Sequence, residues 1–138
     1  MRKILSLLAV VLVLEATGQE APVAVIDFVK IRDGKRAEAL FFYENNWKVY
    51  RDIALQKGII QSYALLTTTH DSAANFDLML VTVYKDSTQW AMAEERFQGI
   101  IKEVRPAGPR LLNDLKPAAF RQNVFNKKTE LLFYAPKQ

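Results

Sequence analysis

The chain has 138 residues, a formal charge of +4 and no cysteine. The lack of thiols excludes disulfide stapling and any thiolate or Cys-based metal chemistry. So mild a positive balance gives no argument for nucleic-acid binding.

Two positive charges, Arg2 and Lys3, precede an apolar run from Ile4 to Leu14 in which Ser6 is the only polar side chain. That is the n-region and h-region of a secretory signal peptide. Ala16 and Gly18 sit at the spacing a signal peptidase reads, so residues 1–18 are read as a signal peptide cut before Gln19. A spanning helix needs roughly 20 apolar residues, and Glu15 closes this run well short of that. The expected mature protein is residues 19–138, one domain with 17 basic and 14 acidic residues. It is expected to be exported, periplasmic or secreted, with no membrane attachment after cleavage.

Val23 to Ile31 (VAVIDFVKI) is rich in β-branched and aromatic residues and apolar on both alternating faces apart from Asp27 and Lys30. It predicts a strand covered on both sides. Asp33 and Gly34 punctuate it, and a helix is expected from Lys35 to Lys57, stopped by Gly58 at C′. Within that helix Leu40, Tyr43, Trp47, Tyr50 and Ala54 step by three or four along one face. Phe42, Val49 and Ile53 make a second apolar stripe that needs a different partner.

Ile59 to Thr69 and Phe76 to Lys85 read as two strands of a hairpin with a long polar turn. Asp86 with Gln89 three residues on has the form of a capping box. The helix it opens carries Trp90, Ala93, Phe97, Ile100, Ile101 and Val104 on one face and ends at Arg105-Pro106. Pro106 to Asn126 has three prolines and no clean period, so an irregular connection is expected. Thr129 to Ala135 reads as the last strand, with Phe120 to Phe125 a candidate to pair beside it.

The order β-α-β-β-α-β predicts an α+β fold of the ferredoxin-like kind, a four-stranded antiparallel sheet with two helices on one face. Two helices leave the other face bare. Because the first strand is apolar on both sides, a second copy of the chain is expected to cover it, giving a homodimer.

Candidate chemistry is sparse. His70 is the only histidine, and its neighbours Asp71 and Ser72 lie on the same loop, where triad members do not converge; it reads as a surface-loop residue. Without HExxH, an EF-hand loop or a glycine-rich phosphate loop, no metal and no cofactor are expected. Glu94 and Glu95 point about 100° apart on their helix and cannot face each other as an acid/base pair. Glu94 falls at the margin of the apolar face, either as a rim carboxylate or as a group at a pocket mouth. Asp27 sits mid-strand between Val25 and Val29 on its side. It is either a structural carboxylate paired with a cation or the polar group of a cavity. Tyr63, Gln61 and Asp77 are other polar groups within strands, and Trp47 and Trp90 are either core or ligand platform.

The runs VAVIDFVKIRDGKRAEAL, FDLMLVTVYKD and STQWAMAEERF resemble the dimeric α/β-barrel superfamily, in particular its antibiotic-biosynthesis-monooxygenase-like and stress-responsive barrel members. The resemblance spans about residues 23–104. It implies a pocket between sheet and helices or within the barrel, and in some members oxidation of aromatic substrates or haem without a conventional cofactor. Trp90 matches a tryptophan of the haem-degrading members, and Asp27 falls where they carry an asparagine. Their histidine, ten residues after the tryptophan, is here Ile100, so the resemblance does not extend to haem ligation.

Two readings follow. One is a non-catalytic exported barrel that binds a small apolar or aromatic ligand, or a partner, through Asp27, Tyr63 and Trp90. The other is a cofactor-independent monooxygenase-like enzyme with Asp27 as base or anchor and Glu94 near the pocket mouth.

Overall fold

The computed structural model describes Gly18 and residues 20–135, so the segment read as a signal peptide lies, but for Gly18, outside the described residues. Strand β1 (Val23–Ile31) is followed by α1 (Arg36–Phe42), a π-helical turn (Tyr43–Trp47) and α2 (Lys48–Gln56) in one continuous helical rod. Then come β2 (Ser62–Thr67), β3 (Leu78–Tyr84), α3 (Ser87–Ala91), α4 (Ala93–Val104), the short α5 (Pro117–Phe120) and β4 (Arg121–Glu130). The strands form one antiparallel sheet in the order β2-β3-β1-β4. Each helical crossover therefore joins two strands with a third between them: β1 to β2 around β3, and β3 to β4 around β1. The fold is α+β.

Local chemistry accounts for the punctuation. Asp33 and Gly34 both take positive φ, 51° and 68°, the turn that lets the chain leave β1 and enter the helix. The rod ends at Gly58, φ 66°. There the Ile59 N–H bonds the Ala54 carbonyl at 2.8 Å and the Gly58 N–H that of Leu55 at 3.1 Å, a Schellman close. Asp86 caps α3 by accepting the Gln89 N–H at 2.7 Å. The Gln89 side chain returns to the Lys85 N–H, one residue earlier than a capping box requires. The predicted second helix breaks at Met92 into α3 and α4.

The side chains of Val23, Val25, Asp27, Val29 and Ile31 share the face on which the helices lie. Two apolar clusters build the core there. Val23 and Tyr84 meet Tyr50, Ala54, Phe97 and Ile100 at one end; Val29, Ile31, Leu78 and Leu80 meet Ala39, Tyr43, Trp47 and Phe120 at the other. Asp27 lies between the two. The second stripe of the rod finds its partners as well, Phe42 against Phe120 and Ile53 in the cluster with α4.

The opposite face carries Ile26, Phe28, Met79, Val81, Leu66 and Phe125, with Phe28 stacked on Phe125 at 4.3 Å and edge-on to Phe76 at 4.8 Å. None of these side chains is fully buried.

The last strand corrects the sequence expectation. It runs from Arg121 to Glu130, and Leu131 to Ala135 lie outside the sheet. Glu130 pairs with Val23, the first residue of β1, and one further bond, Leu131 N–H to the Pro22 carbonyl, ends the ladder. Leu132 and Phe133 are left 74% and 93% exposed. The register of β4 also shifts between Phe28 and Val29, where Phe125 pairs with Phe28 but Asn123 with Val29. That bulge at Val124 turns Asn123 and Arg121 onto the helix face.

Candidate functional site

Between the two core clusters, sheet and helical rod border a half-open cavity of about 230 Å³. Its floor is Asp27, Val29 and Leu80 from β1 and β3; its walls are Phe42, Tyr43, Trp47 and Tyr50 from the rod and Arg121 and Asn123 from β4. Pro109 closes the remaining side. The π-helical turn carries Tyr43, Asn46 and Trp47 at once into the buried side of the rod. Asn46 is 1% exposed. Its Nδ2 donates to the carbonyls of Phe42 and Arg110, and its Oδ1 accepts the Arg110 N–H, all at 2.8 Å. This clamp ties the irregular segment after α4 to the rod and sets Pro109 against the cavity.

Among the described residues, two buried side-chain polar atoms have no hydrogen-bond partner: Trp47 Nε1 and Arg121 Nε. Both residues line this cavity. Buried donors without acceptors are rare in native proteins because each costs the desolvation it does not recover. The Arg121 guanidinium also lies over the Phe42 ring at 4.8 Å and the Tyr43 ring at 5.8 Å. Burial pushes the Tyr43 hydroxyl up to about 12 against the opposing pull of Arg121, with Asp27 adding to the rise. Tyr43 is thus a neutral phenol beside a fixed cation. The arrangement gathers two residues with unpartnered N–H donors, one carboxylate and four aromatic rings around one pocket.

The other predicted site residues do not gather there. Tyr63 packs edge-on against Trp47, with ring centres 5.5 Å apart. Its hydroxyl donates to Asp52, which pairs with Lys48 at 2.8 Å. That bond raises the Tyr63 pKa and, with Lys48, holds Asp52 below its ordinary range. Trp90 lies beneath the Lys128 ammonium, 3.8 Å from its ring centre, and shares a second cleft with Glu94. Asp27, Tyr63 and Trp90 are therefore divided between one cavity, a contact with its Trp47 wall and a separate cleft. Ile100, where the resembled haem-degrading proteins carry histidine, is a core residue, 2% exposed.

His70 is more than a loop residue. Its backbone N–H and ring Nδ1 both reach Asp77 Oδ1, at 3.0 and 2.7 Å, while Asp77 Oδ2 accepts the Ile31 N–H at 2.7 Å. Burial works against the Asp77 carboxylate, but these donors outweigh it and hold its pKa below the ordinary value. The pair anchors the β2–β3 loop to the end of β1.

Sequence reasoning missed Arg121, Tyr43 and Asn46 as site residues. Arg121 and Asn123 lie in a stretch with only two apolar residues, so no alternation marked it as strand. Tyr43 and Trp47 were legible as core from their spacing, but the cavity between them was not.

No protein-family model matches the sequence, and no curated protein matches it. Among solved structures the chain is similar to the crystal structure of HapK from Hahella chejuensis, with a TM-score of 0.51 at 14% identity, covering 84% of this chain and 98% of that one. At that identity the likeness concerns the fold alone, and it supports the α+β architecture described above.

Proposed function

We propose that this chain is an exported small-molecule-binding protein whose ligand occupies the Asp27 cavity. The observation that carries the reading is that Trp47 and Arg121, whose Nε1 and Nε are buried donors without partners, both line this one pocket. A ligand with a carbonyl-type acceptor satisfies them, and the rings of Phe42, Tyr43, Trp47 and Tyr50 take its flat apolar body. A cavity of about 150 Å³ holds a benzene ring; 230 Å³ suits a bicyclic one.

The test is thermal stabilisation by 2-acetylnaphthalene set against naphthalene, which has no acceptor. The ketone is expected to stabilise the protein more, and Trp47→Phe to remove the difference. Equal shifts from both probes, or a difference that survives Trp47→Phe and Arg121→Met, overturn the reading.

The catalytic alternative, cofactor-independent oxygenation with Asp27 as base, draws on the Asp27 carboxylate being in the same cavity. Oxygen uptake on a phenolic substrate that survives Asp27→Asn unchanged would remove the base role.

The topology supports a ferredoxin-like split β-α-β unit, since the sheet read from its other edge runs β4-β1-β3-β2. The apolar face of Ile26, Phe28, Val81 and Phe125 supports a homodimeric α/β barrel in which a second copy packs on it. Export rests on residues 1–18, and N-terminal sequencing of the secreted protein is expected to begin at Gln19.

A further inference from the structure

Outside the Asp27 cavity, the Arg51 guanidinium is held between two rings, its Cζ 4.8 Å from the centre of Trp47 and 4.2 Å from that of Phe97. Its Nε donates to Thr82 Oγ1 at 3.2 Å, the one hydrogen bond the guanidinium makes among the described residues. Contact ion pairs among those residues are Lys48–Asp52, Lys57–Glu103 and His70–Asp77, and Arg51 belongs to none of them. Asp27 acts on it through space without touching it.

A guanidinium has five N–H donors in a rigid fork. Fixing its plane between two rings and occupying only the Nε–H leaves the Nη edge oriented and without a hydrogen-bond partner among the described residues. Arg51 lines a cleft of about 570 Å³ with Val25, Tyr84, Trp90, Phe97 and Ile101, and Glu94 is at its exposed mouth.

We propose that this cleft is a second binding site, independent of the Asp27 cavity, for a small amphiphilic monoanion. The carboxylate, sulfonate or phosphate ester head takes the free edge of Arg51 in a bidentate pair, and the apolar body lies along Val25, Trp90 and Phe97. Lys128 over Trp90 adds to the attraction for an anion, and Glu94 at the mouth opposes a second negative charge on the ligand.

Calorimetric titration with 2-naphthoate and with its uncharged methyl ester tests the proposal. The protein is expected to bind the acid about tenfold or more tightly than the ester, the range of a charge-assisted hydrogen-bonded pair. Arg51→Met is expected to abolish that preference and Arg51→Lys to weaken it, while Arg121→Met leaves it intact. Should Arg51→Met not fold, Arg51→Lys and the acid-to-ester ratio of the unaltered protein decide. A ratio near one in the unaltered protein, or a ratio untouched by the Arg51 substitutions, overturns the proposal. A ratio lost in Arg121→Met but kept in Arg51→Met also overturns it, and places the anion in the Asp27 cavity instead.

Discussion

Replacing Asn46 by alanine removes three hydrogen bonds of 2.8 Å and leaves the Arg110 N–H and C=O without their partner. At about 0.5–1.5 kcal/mol for each bond, the expected loss is about 2–4 kcal/mol. In a domain of this size that lowers the melting temperature by on the order of 10 °C. Asn46→Asp keeps the acceptor for the Arg110 N–H and for the longer contact from Arg105 Nε at 3.4 Å but turns a carboxylate oxygen on the Phe42 and Arg110 carbonyls in place of the two Nδ2 donations, so it is expected to recover little of the lost stability. Urea unfolding of the three proteins followed by circular dichroism gives the midpoints and slopes. The same clamp sets Pro109 in the cavity wall, so Asn46→Ala is also expected to weaken the response to 2-acetylnaphthalene. An alanine variant within about 0.5 kcal/mol of the parent, the range of an ordinary surface change, would refute the view that Asn46 holds this segment.

Three further outcomes are expected. The Tyr43 hydroxyl titrates near 12 in the folded protein against an ordinary 10. Stability is therefore full below pH 10 and falls between pH 10 and about pH 12, by up to about 1.4 kcal/mol per pH unit for this one group; chemical unfolding across that window should show a shallower decline in Tyr43→Phe. The Asp77 carboxyl is depressed, so its contribution is present above pH 3.8, the ordinary value, and is lost as pH falls through the folded value. Asp77→Asn should lower stability at pH 7 by about 1–3 kcal/mol and flatten the acid limb, and an unchanged acid limb would show the His70 pair to be idle. Light scattering should give a dimer mass at micromolar concentration and a monomer for Val81→Lys, which sets a charge in the middle of the apolar sheet face; a monomeric parent would remove the barrel.

Much of the scaffold is written in hydrophobic spacing. The stripe Tyr43, Trp47, Tyr50 and Ala54 is buried as its three- and four-residue steps require. The two-sided character of β1 appears as helices on one face and the Phe28, Phe125 and Phe76 cluster on the other. The last strand was illegible for a physical reason. Arg121–Glu130 is an edge strand with mostly exposed side chains, so backbone pairing with β1 rather than burial holds it. Past Leu131, whose N–H bonds the Pro22 carbonyl, the apolar stretch to Ala135 extends beyond the start of β1 and joins no strand among the described residues. The candidate site divided the same way. Asp27 could be picked out as a carboxylate in an apolar strand, but the cation that shares its cavity comes from β4, 94 positions along the chain. No local pattern joins the two.

The bulge at Val124 gives the cavity a way to change chemistry through strand register rather than side-chain identity. In an unbroken ladder the alternation of β4 would turn Val124 and Gln122 toward the helices and send Asn123 and Arg121 to the opposite face. Deletion of Val124 would iron out the bulge and leave Asn123 against Val29 and Arg121 against Ile31 as they are, whereas closing the ladder at unchanged length would exchange the buried guanidinium for a neutral amide. Ligand preference in proteins built on this plan can therefore turn on whether an edge strand keeps its one extra residue out of register.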